Sequence, residues 1–162
     1  MEQLTVSIGI LASLGAALAG GIFFAFSSFV MKALAQLPSS EGIAAMQSIN
    51  IVVINPSFMG VFMGTVVLSL CMIAIALFRW NDPSAIFFLA GAVFYIAGSF
   101  FVTASANVPL NDQLAALSTT DPTNSDIWNH YLDRWVMWNH VRASASTIAA
   151  VLYIIGIMRV GG

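Results

Sequence analysis

The stretch PSFMGVFMGTVVLSLCMIAIALF, at residues 56–78, indicates the fold class of this chain. The stretch carries no charged side chain, and a helix needs about 20 apolar residues to cross a hydrocarbon core about 30 Å thick. Asn55-Pro56 marks its start, because a proline suits the first helical turn and disfavours helix in the residue before it. The sequence therefore predicts a transmembrane helix from Pro56 to Phe78.

Three more apolar stretches lie on either side of this helix. Residues 6–30 and 84–107 hold no charge, and residues 141–158 hold only Arg142. Hydrophobic types make up 59% of the 162 residues and charged types 7%, whereas a soluble domain carries about 25% charged residues. We therefore expect an all-α fold, with a single domain over residues 1–162 built as a bundle of four transmembrane helices in the lipid bilayer.

The links between the spans divide the chain between two sides of the membrane. Four spans place both termini and the turn at 79–83 on one side, called side A, and the links 32–55 and 107–140 on side B. Residues 40–54 are expected to form a short interfacial helix, because their apolar residues recur at helical spacing. These residues are Ile43, Met46, Ile49 and Val53. The balance of Lys and Arg is close, and it favours a cytoplasmic side A in a bacterial plasma membrane if Arg142 is a site residue rather than a topology signal.

The last span is predicted to belong to a longer helix. Thr123 and Asp126 have the spacing of a capping box, which predicts a helix start there. A helix from Asp126 to Met158 would measure roughly 50 Å at about 1.5 Å per residue, which is more than the hydrocarbon core. Its first part should therefore stand in the headgroup zone, or above it, on side B.

Small residues recur every four positions in two of the spans. Ala12, Ala16 and Gly20 do so in the first span, and Gly60 and Gly64 do so in the second. This spacing lets transmembrane helices approach each other closely. We expect both sets to be packing sites inside a tight bundle.

Polar and aromatic side chains gather at the side B ends of the spans. An interfacial aromatic belt would place aromatic residues at both membrane surfaces, whereas most of the large aromatic residues of this chain lie toward side B. Arg142 lies in an otherwise uncharged run, where an ionisable residue is a functional-site hypothesis, with snorkelling to the headgroups as the alternative. The pattern favours a pocket open toward side B. Its candidate residues are Asn55, Phe101, Asn107, Asn111, Trp135, Trp138, Asn139, His140 and Arg142.

The last helix divides its candidate residues between two faces. Four of them share one stripe when residues are placed at about 100° intervals. These are Trp135, Trp138, Asn139 and Arg142. His140 lies about 100° from Asn139, so it faces either the pocket or a neighbouring helix, where it would be a satisfied polar residue.

Asn107 and Asn111 lie on either side of Pro109, which should kink or end the third span. The two amides either satisfy the backbone that the proline leaves unpaired or donate to a ligand oxygen, as in an oxyanion hole. A metal site is not expected, because His130 and His140 lie about 15 Å apart along one helix. The sequence contains no motif for another cofactor, so none is expected. The absence of a basic cluster argues against a nucleic-acid partner.

Four segments together resemble the anthrone-oxygenase-like family of integral membrane proteins. They are Gly21-Ile-Phe-Phe-Ala-Phe-Ser, Ala45-Met-Gln-Ser-Ile-Asn with Asn55-Pro56, Asn107-Val-Pro-Leu-Asn111, and Trp135-x-x-Trp138-Asn139-His140-Val141-Arg142. The resemblance covers nearly the whole chain, with the segments in the same order. It implies a compact four-helix membrane protein, and it associates fungal members with the oxidation of polyketide anthrones to anthraquinones by dioxygen.

We therefore expect a small membrane-bound oxygenase that acts, without a cofactor, on a planar lipophilic phenolic substrate of the anthrone type. His140 would remove a proton from an activated carbon, and Arg142 would favour the resulting anion. Asn107 and Asn111 would hold its oxygen, while the tryptophans of the last helix would stack on the rings. The alternative is a non-enzymatic protein that binds a quinone or lipid, as a homo-oligomer or as a subunit of a larger membrane complex.

Overall fold

The computed structural model describes residues 2–119, 121 and 124–162 of the chain. Across this range the protein is helical, and four helices are long and apolar enough to cross a membrane. We number five helices in chain order. They are α1 (Glu2–Leu34), α2 (Ser39–Val52), α3 (Pro56–Phe78), α4 (Ala85–Ala115) and α5 (Ser125–Met158). The predicted all-α architecture with four spans is confirmed, and α1 and α4 extend past the stretches predicted for them.

The start of α3 follows the prediction from Asn55-Pro56. The Asn55 side chain accepts hydrogen bonds from the backbone N–H groups of Ser57 and Phe58, both at 3.0 Å. Its Nδ2 donates to the Val52 carbonyl at 2.9 Å. An asparagine at this position satisfies donors that the first helical turn leaves unpaired. Asn55 therefore fixes the corner at which α2 ends and α3 begins.

The side A end of the bundle holds Glu2, at the start of α1, and the C-terminal residues. Arg79 follows α3, and its guanidinium lies 3.8 Å from the Glu2 carboxylate and 2.5 Å from the Asp82 carboxylate. Asp82 also accepts a hydrogen bond from the Gly161 backbone at 3.4 Å. The start of α1, the α3–α4 turn and the C-terminal residues therefore meet at one end, as the predicted topology requires.

Small residues of α1 pack against the neighbouring helices. Ala12 and Ala16 are fully buried, and a Cβ atom added to Gly20 would lie 3.2 Å from the Ser146 side chain of α5. Helices approach this closely only where no large side chain separates them. The prediction for the first span is confirmed.

The prediction for Gly60 and Gly64 is wrong for packing within this chain. A Cβ atom at either position would meet nothing within 4 Å. The face that α3 buries instead consists of Phe62, Thr65, Ser69, Met72 and Ala76. A hydrogen bond from the Tyr153 hydroxyl to Ser69 Oγ, at 2.8 Å, holds α3 in this rotation. The two glycines therefore lie on an outward face.

α4 passes through Pro109 without ending, contrary to one of the two outcomes predicted for it. Two stretches of α4 before the proline, Phe94–Phe101 and Thr103–Asn107, are π-helical. The proline then falls in the first turn of a new α-helical segment, Val108–Ala115. Pro109 has no N–H to donate to the preceding turn, so the helix continues with one intrahelical hydrogen bond fewer.

α2 packs on the side B end of the bundle. Ile43 and Met46 are each 1% exposed, and they belong to one apolar cluster with Leu114 of α4 and Trp128 of α5. Gln47 fastens the helix further, since its Nε2 donates to the Leu114 carbonyl at 2.9 Å. The predicted apolar face of this helix is confirmed, and its location along the membrane surface remains a prediction.

α5 begins at Ser125, close to the predicted start. The capping box proposed for it depends on Thr123, which lies outside the described residues. Trp128, Tyr131 and Trp135 stack along its first part, with ring centroids 5.6 and 6.4 Å apart. These rings are buried. These three aromatic side chains therefore pack in the interior of the protein.

Candidate functional site

A cavity of about 240 Å³ lies in the side B half of the bundle, and all five helices contribute to its wall. Its polar lining residues are Asn50, Thr103, Asn111, Trp135 and Arg142. The other lining residues are aliphatic, methionine or phenylalanine side chains. An apolar wall with a few polar groups is typical of a ligand site, because those groups fix the orientation of the ligand.

Arg142 is the charged residue of this wall, and it is 5% exposed. Its Nη2 donates to Asn139 Oδ1 at 2.6 Å, and its Nη1 donates to Thr103 Oγ1 at 3.3 Å. The guanidinium carbon lies 4.3 Å from the Phe23 ring centroid and 5.0 Å from that of Trp135. The predicted alternative, snorkelling to the headgroups, does not describe this buried side chain.

No acidic side chain of the described residues forms an ion pair with Arg142. The ion pairs among the described residues join Arg79 to Glu2 and to Asp82, at the opposite end of the bundle. The Nε atom of Arg142 is buried without a hydrogen-bond partner. A cation held in an apolar wall by neutral groups and ring faces attracts an anionic ligand atom strongly, because little solvent screens the interaction.

Asn139 holds Arg142 in position. It is fully buried, and its Nδ2 donates to the Phe23 carbonyl at 2.6 Å and to Ser27 Oγ at 2.7 Å. Its Oδ1 is thereby turned toward the guanidinium, from which it accepts. One amide therefore ties α1 to α5 and orients the charge, so Asn139 is a positioning residue behind the cavity wall.

Trp135 connects the two asparagines of α4 to the arginine. Its Nε1 donates to Asn111 Oδ1 at 2.9 Å, and the Tyr131 hydroxyl donates to the same oxygen at 2.8 Å. Asn107 is 1% exposed and donates to the Trp135 carbonyl at 3.2 Å. Because Asn111 Oδ1 already accepts twice, the group that Asn111 offers to a ligand is its NH2 donor.

The π-helical turns of α4 direct polar side chains toward α5. Ser99, Thr103 and Asn107 each hydrogen-bond to a residue of α5. In an α-helix of about 3.6 residues per turn, a spacing of four drifts around the axis. A π turn, closed by i→i+5 hydrogen bonds, brings that spacing nearer to a full turn. Thr103 was not among the predicted site residues, although hydroxyl and amide residues at every fourth position of this apolar span were a signal for it.

Four predicted site residues lie away from the cavity wall. His140 is exposed and lines a separate groove on the outer surface of α1 and α5. Phe101 is 58% exposed, Trp138 is half-buried outside the cavity lining, and the Asn55 side chain is engaged in capping α3. Their functional roles remain predictions that the cavity does not support.

The five other predicted residues come together. Asn111, Trp135 and Arg142 line the cavity, and Asn107 and Asn139 lie directly behind it through the hydrogen bonds described above. Among the described residues, no group of three His, Cys, Asp or Glu side chains is placed to hold a metal ion. The assembled groups are a cation, an amide donor and ring faces, which can stabilise an oxyanion in an apolar environment.

The segments that resemble the anthrone-oxygenase-like family include the five predicted residues that come together at the cavity. The family model described as anthrone oxygenase matches residues 58–152. This chain belongs to the anthrone oxygenase family. The matched range covers most of α3, all of α4 and most of α5, and it includes the polar lining residues of this family member except Asn50. No curated protein and no solved structure matches the chain.

Proposed function

We propose that this protein is a membrane-bound oxygenase that converts a planar lipophilic phenolic substrate of the anthrone type into the corresponding quinone. The observation that carries the proposal is Arg142, a buried cation in the wall of an apolar cavity that has no acidic partner within the described part of the chain. Membership of the anthrone oxygenase family supports the reaction class.

The size and lining of the cavity suit a small aromatic ligand. Its volume of about 240 Å³ lies below the range of roughly 300–1,000 Å³ common for drug-sized ligands, which favours a compact ring system. Phe23, Phe58, Phe62 and Trp135 present ring faces or edges to such a ligand. An apolar substrate of this kind partitions into the bilayer, which surrounds the four spans.

The proposed reaction inserts one oxygen atom of dioxygen into the substrate. The methylene carbon of the anthrone loses a proton, and the negative charge spreads onto the ring oxygen, which Arg142 and the Asn111 amide stabilise. The carbanion transfers electrons to dioxygen and forms a carbon–oxygen bond, giving a peroxide. Loss of water from the protonated peroxide leaves a second carbonyl, so one oxygen atom remains in the quinone and the other leaves as water.

The proton acceptor in this scheme is water at the side B mouth of the cavity. No carboxylate or imidazole is among the described residues that line it. His140, the base predicted from the sequence, lies in the outer groove instead. Arg142 favours deprotonation by stabilising the anion relative to the neutral substrate, which allows a weak base to suffice.

Oxygen uptake and quinone formation by the purified protein, supplied with anthrone in lipid nanodiscs, test the proposal. We expect Arg142→Gln to lower the rate by about 10²-fold or more, the scale of losing a strong oxyanion contact. Arg142→Lys should keep part of the rate. Arg134→Gln, which removes an exposed arginine from the same helix, is the matched control and should behave like the wild type.

His140→Ala separates the two possible sources of the base. Because His140 lies outside the cavity, we expect this variant to oxidise anthrone at the wild-type rate. Loss of activity with a retained fold would restore His140 as the base. Full activity of Arg142→Gln would remove the physical basis of the oxygenase proposal.

The second candidate function is non-enzymatic binding of a quinone, alone or within a homo-oligomer or larger membrane complex. The lack of a proton acceptor among the described lining residues favours it, and the outward Gly60 and Gly64 leave room for a neighbouring helix on α3. Retention of a quinone by gently purified protein, without oxygen uptake on any anthrone, would support this candidate over the oxygenase.

A further inference from the structure

We infer that a groove between α2 and α4 is a second subsite of the same site, which binds a hydrogen-bond-donating substituent of the substrate. The inference rests on the proposed function. Eight residues line the groove, and its polar members are Gln47, Asn50, Asn111 and Asp112. The cavity beside Arg142 would hold the ring system, and the groove would hold a substituent that projects from it.

The groove and the cavity share part of their lining. Asn50, Ile54, Val108 and Asn111 line both spaces. Two of these residues mark an opening, because Ile54 is 72% exposed and Val108 is 41% exposed although both line the cavity. In the inferred binding mode, a ligand lying against Asn111 extends past Val108 into the groove.

The groove offers acceptors where the cavity offers a cation. Asp112 is exposed and contributes a carboxylate. The Gln47 amide nitrogen donates to the carbonyls of Leu114 and Leu117 at 2.9 and 3.1 Å, so its free polar atom is the acceptor Oε1. Among the described residues that line the groove, Asp112 is the one titratable side chain, and none is Lys or Arg.

This distribution of charge predicts the substrate class. A substituent that carries a hydroxyl or amine donor is stabilised by acceptors, whereas a carboxylate would meet the like charge of Asp112. The site as a whole is then polarised along one ligand, with an anionic ring oxygen at Arg142 and a donor group at Asp112. The preferred substrate is a hydroxylated or hydroxymethyl-substituted anthrone, and a carboxylated anthrone is disfavoured.

A matched pair of ligands tests the inference. We would compare kcat/KM for an anthrone with one hydroxymethyl group against the same ring system with a carboxyl group. We expect the wild type to favour the hydroxymethyl compound about fivefold, the scale of one partly exposed charge contact. Asp112→Lys should reverse the preference, and Asp112→Asn should reduce it. Asp133→Lys makes the same charge change at an exposed position of α5 and should leave the substrate preference unchanged.

The same pair measured as anthraquinones gives a readout that does not require turnover. Binding would be followed by quenching of tryptophan fluorescence, since Trp135 lines the cavity. If Asp112→Lys reverses the binding preference but no anthrone is oxidised, the subsite stands and the oxygenase proposal fails. If the wild type oxidises anthrone but Asp112→Lys has the wild-type preference in both measurements, the subsite is overturned.

Discussion

The two halves of the bundle are built from the same helices and packed in opposite ways. Toward side A, aromatic rings pack directly against glycines. A Cβ atom on Gly156 would lie 2.5 Å from the Phe88 ring, and one on Gly91 would lie 2.9 Å from the Tyr153 ring. Toward side B, the helices separate around the cavity beside Arg142. One half of the bundle is filled, and the other half is open.

Helix type changes together with packing. The π-helical segments of the described residues are Phe26–Val30, Phe94–Phe101 and Thr103–Asn107. All of them lie in the middle or the side B part of their helices, and π turns inside α-helices frequently accompany functional sites. A cavity costs stability because its wall lacks packing contacts. Close packing toward side A supplies contacts that the open half lacks.

The largest expected effect comes from enlarging a glycine of the filled half. Gly156→Leu should lower the free energy of unfolding by about 3 kcal/mol, because the new side chain must displace the Phe88 ring. Gly60→Leu is the matched control, and it should change stability little because its side chain would meet open space. Thermal unfolding in detergent, followed by tryptophan fluorescence, measures both. Equal losses would break the contrast between the two glycines.

The next effect concerns the charge of the open half. Thr103→Asp would place a carboxylate where Thr103 Oγ1 now accepts from Arg142. We expect the fold to persist and anthrone oxidation to fall by about 10²-fold, because the cation is neutralised before the substrate binds. Thr103→Asn keeps a neutral acceptor and should retain activity. Full activity of Thr103→Asp would show that the charge of Arg142 is not used.

A smaller effect is expected when a residue is enlarged at the cavity wall. Val53→Phe should weaken anthraquinone binding and change the free energy of unfolding by less than about 1 kcal/mol, since the ring can occupy existing space. Ala149→Val, at a fully buried position of the filled half, should cost about 1–3 kcal/mol. Denaturant titration and ligand quenching give the two quantities. A larger loss for Val53→Phe would contradict the open cavity.

The smallest effect lies at the side A end and depends on pH. The Ser84 hydroxyl, with further hydrogen bonds from the Ser84 backbone and Arg79, lowers the pKa of Asp82 from 3.8 to about 2. The folded state thus has the lower pKa, so this contribution to stability is present above about pH 4 and is lost as the pH falls toward 2. Asp82→Asn should flatten the melting temperature across that window. If the melting temperature of Asp82→Asn depended on pH as it does in the wild type, other groups would be responsible for that dependence.

The features that could be predicted from the sequence are those decided within one helix. Length without charge predicted the four spans, and Asn55-Pro56 predicted the start of α3 because a cap acts on the turn that follows it. The rotation of α3 could not be predicted in this way. It depends on Tyr153 of α5, whose hydroxyl selects Ser69 as its partner, and the spacing of Gly60 and Gly64 contains no information about that contact.

Helical periodicity predicted that Arg142 shares a stripe with Asn139 and that His140 lies about 100° from it, but it left open whether His140 faces the pocket. The groups that surround the charge of Arg142 are set by the packing of the helices. The Asn139 amide binds the Phe23 carbonyl, 116 residues away in the chain, and Thr103 reaches Arg142 through the π turns of α4. Such contacts depend on how separate helices approach and rotate, which no local pattern specifies.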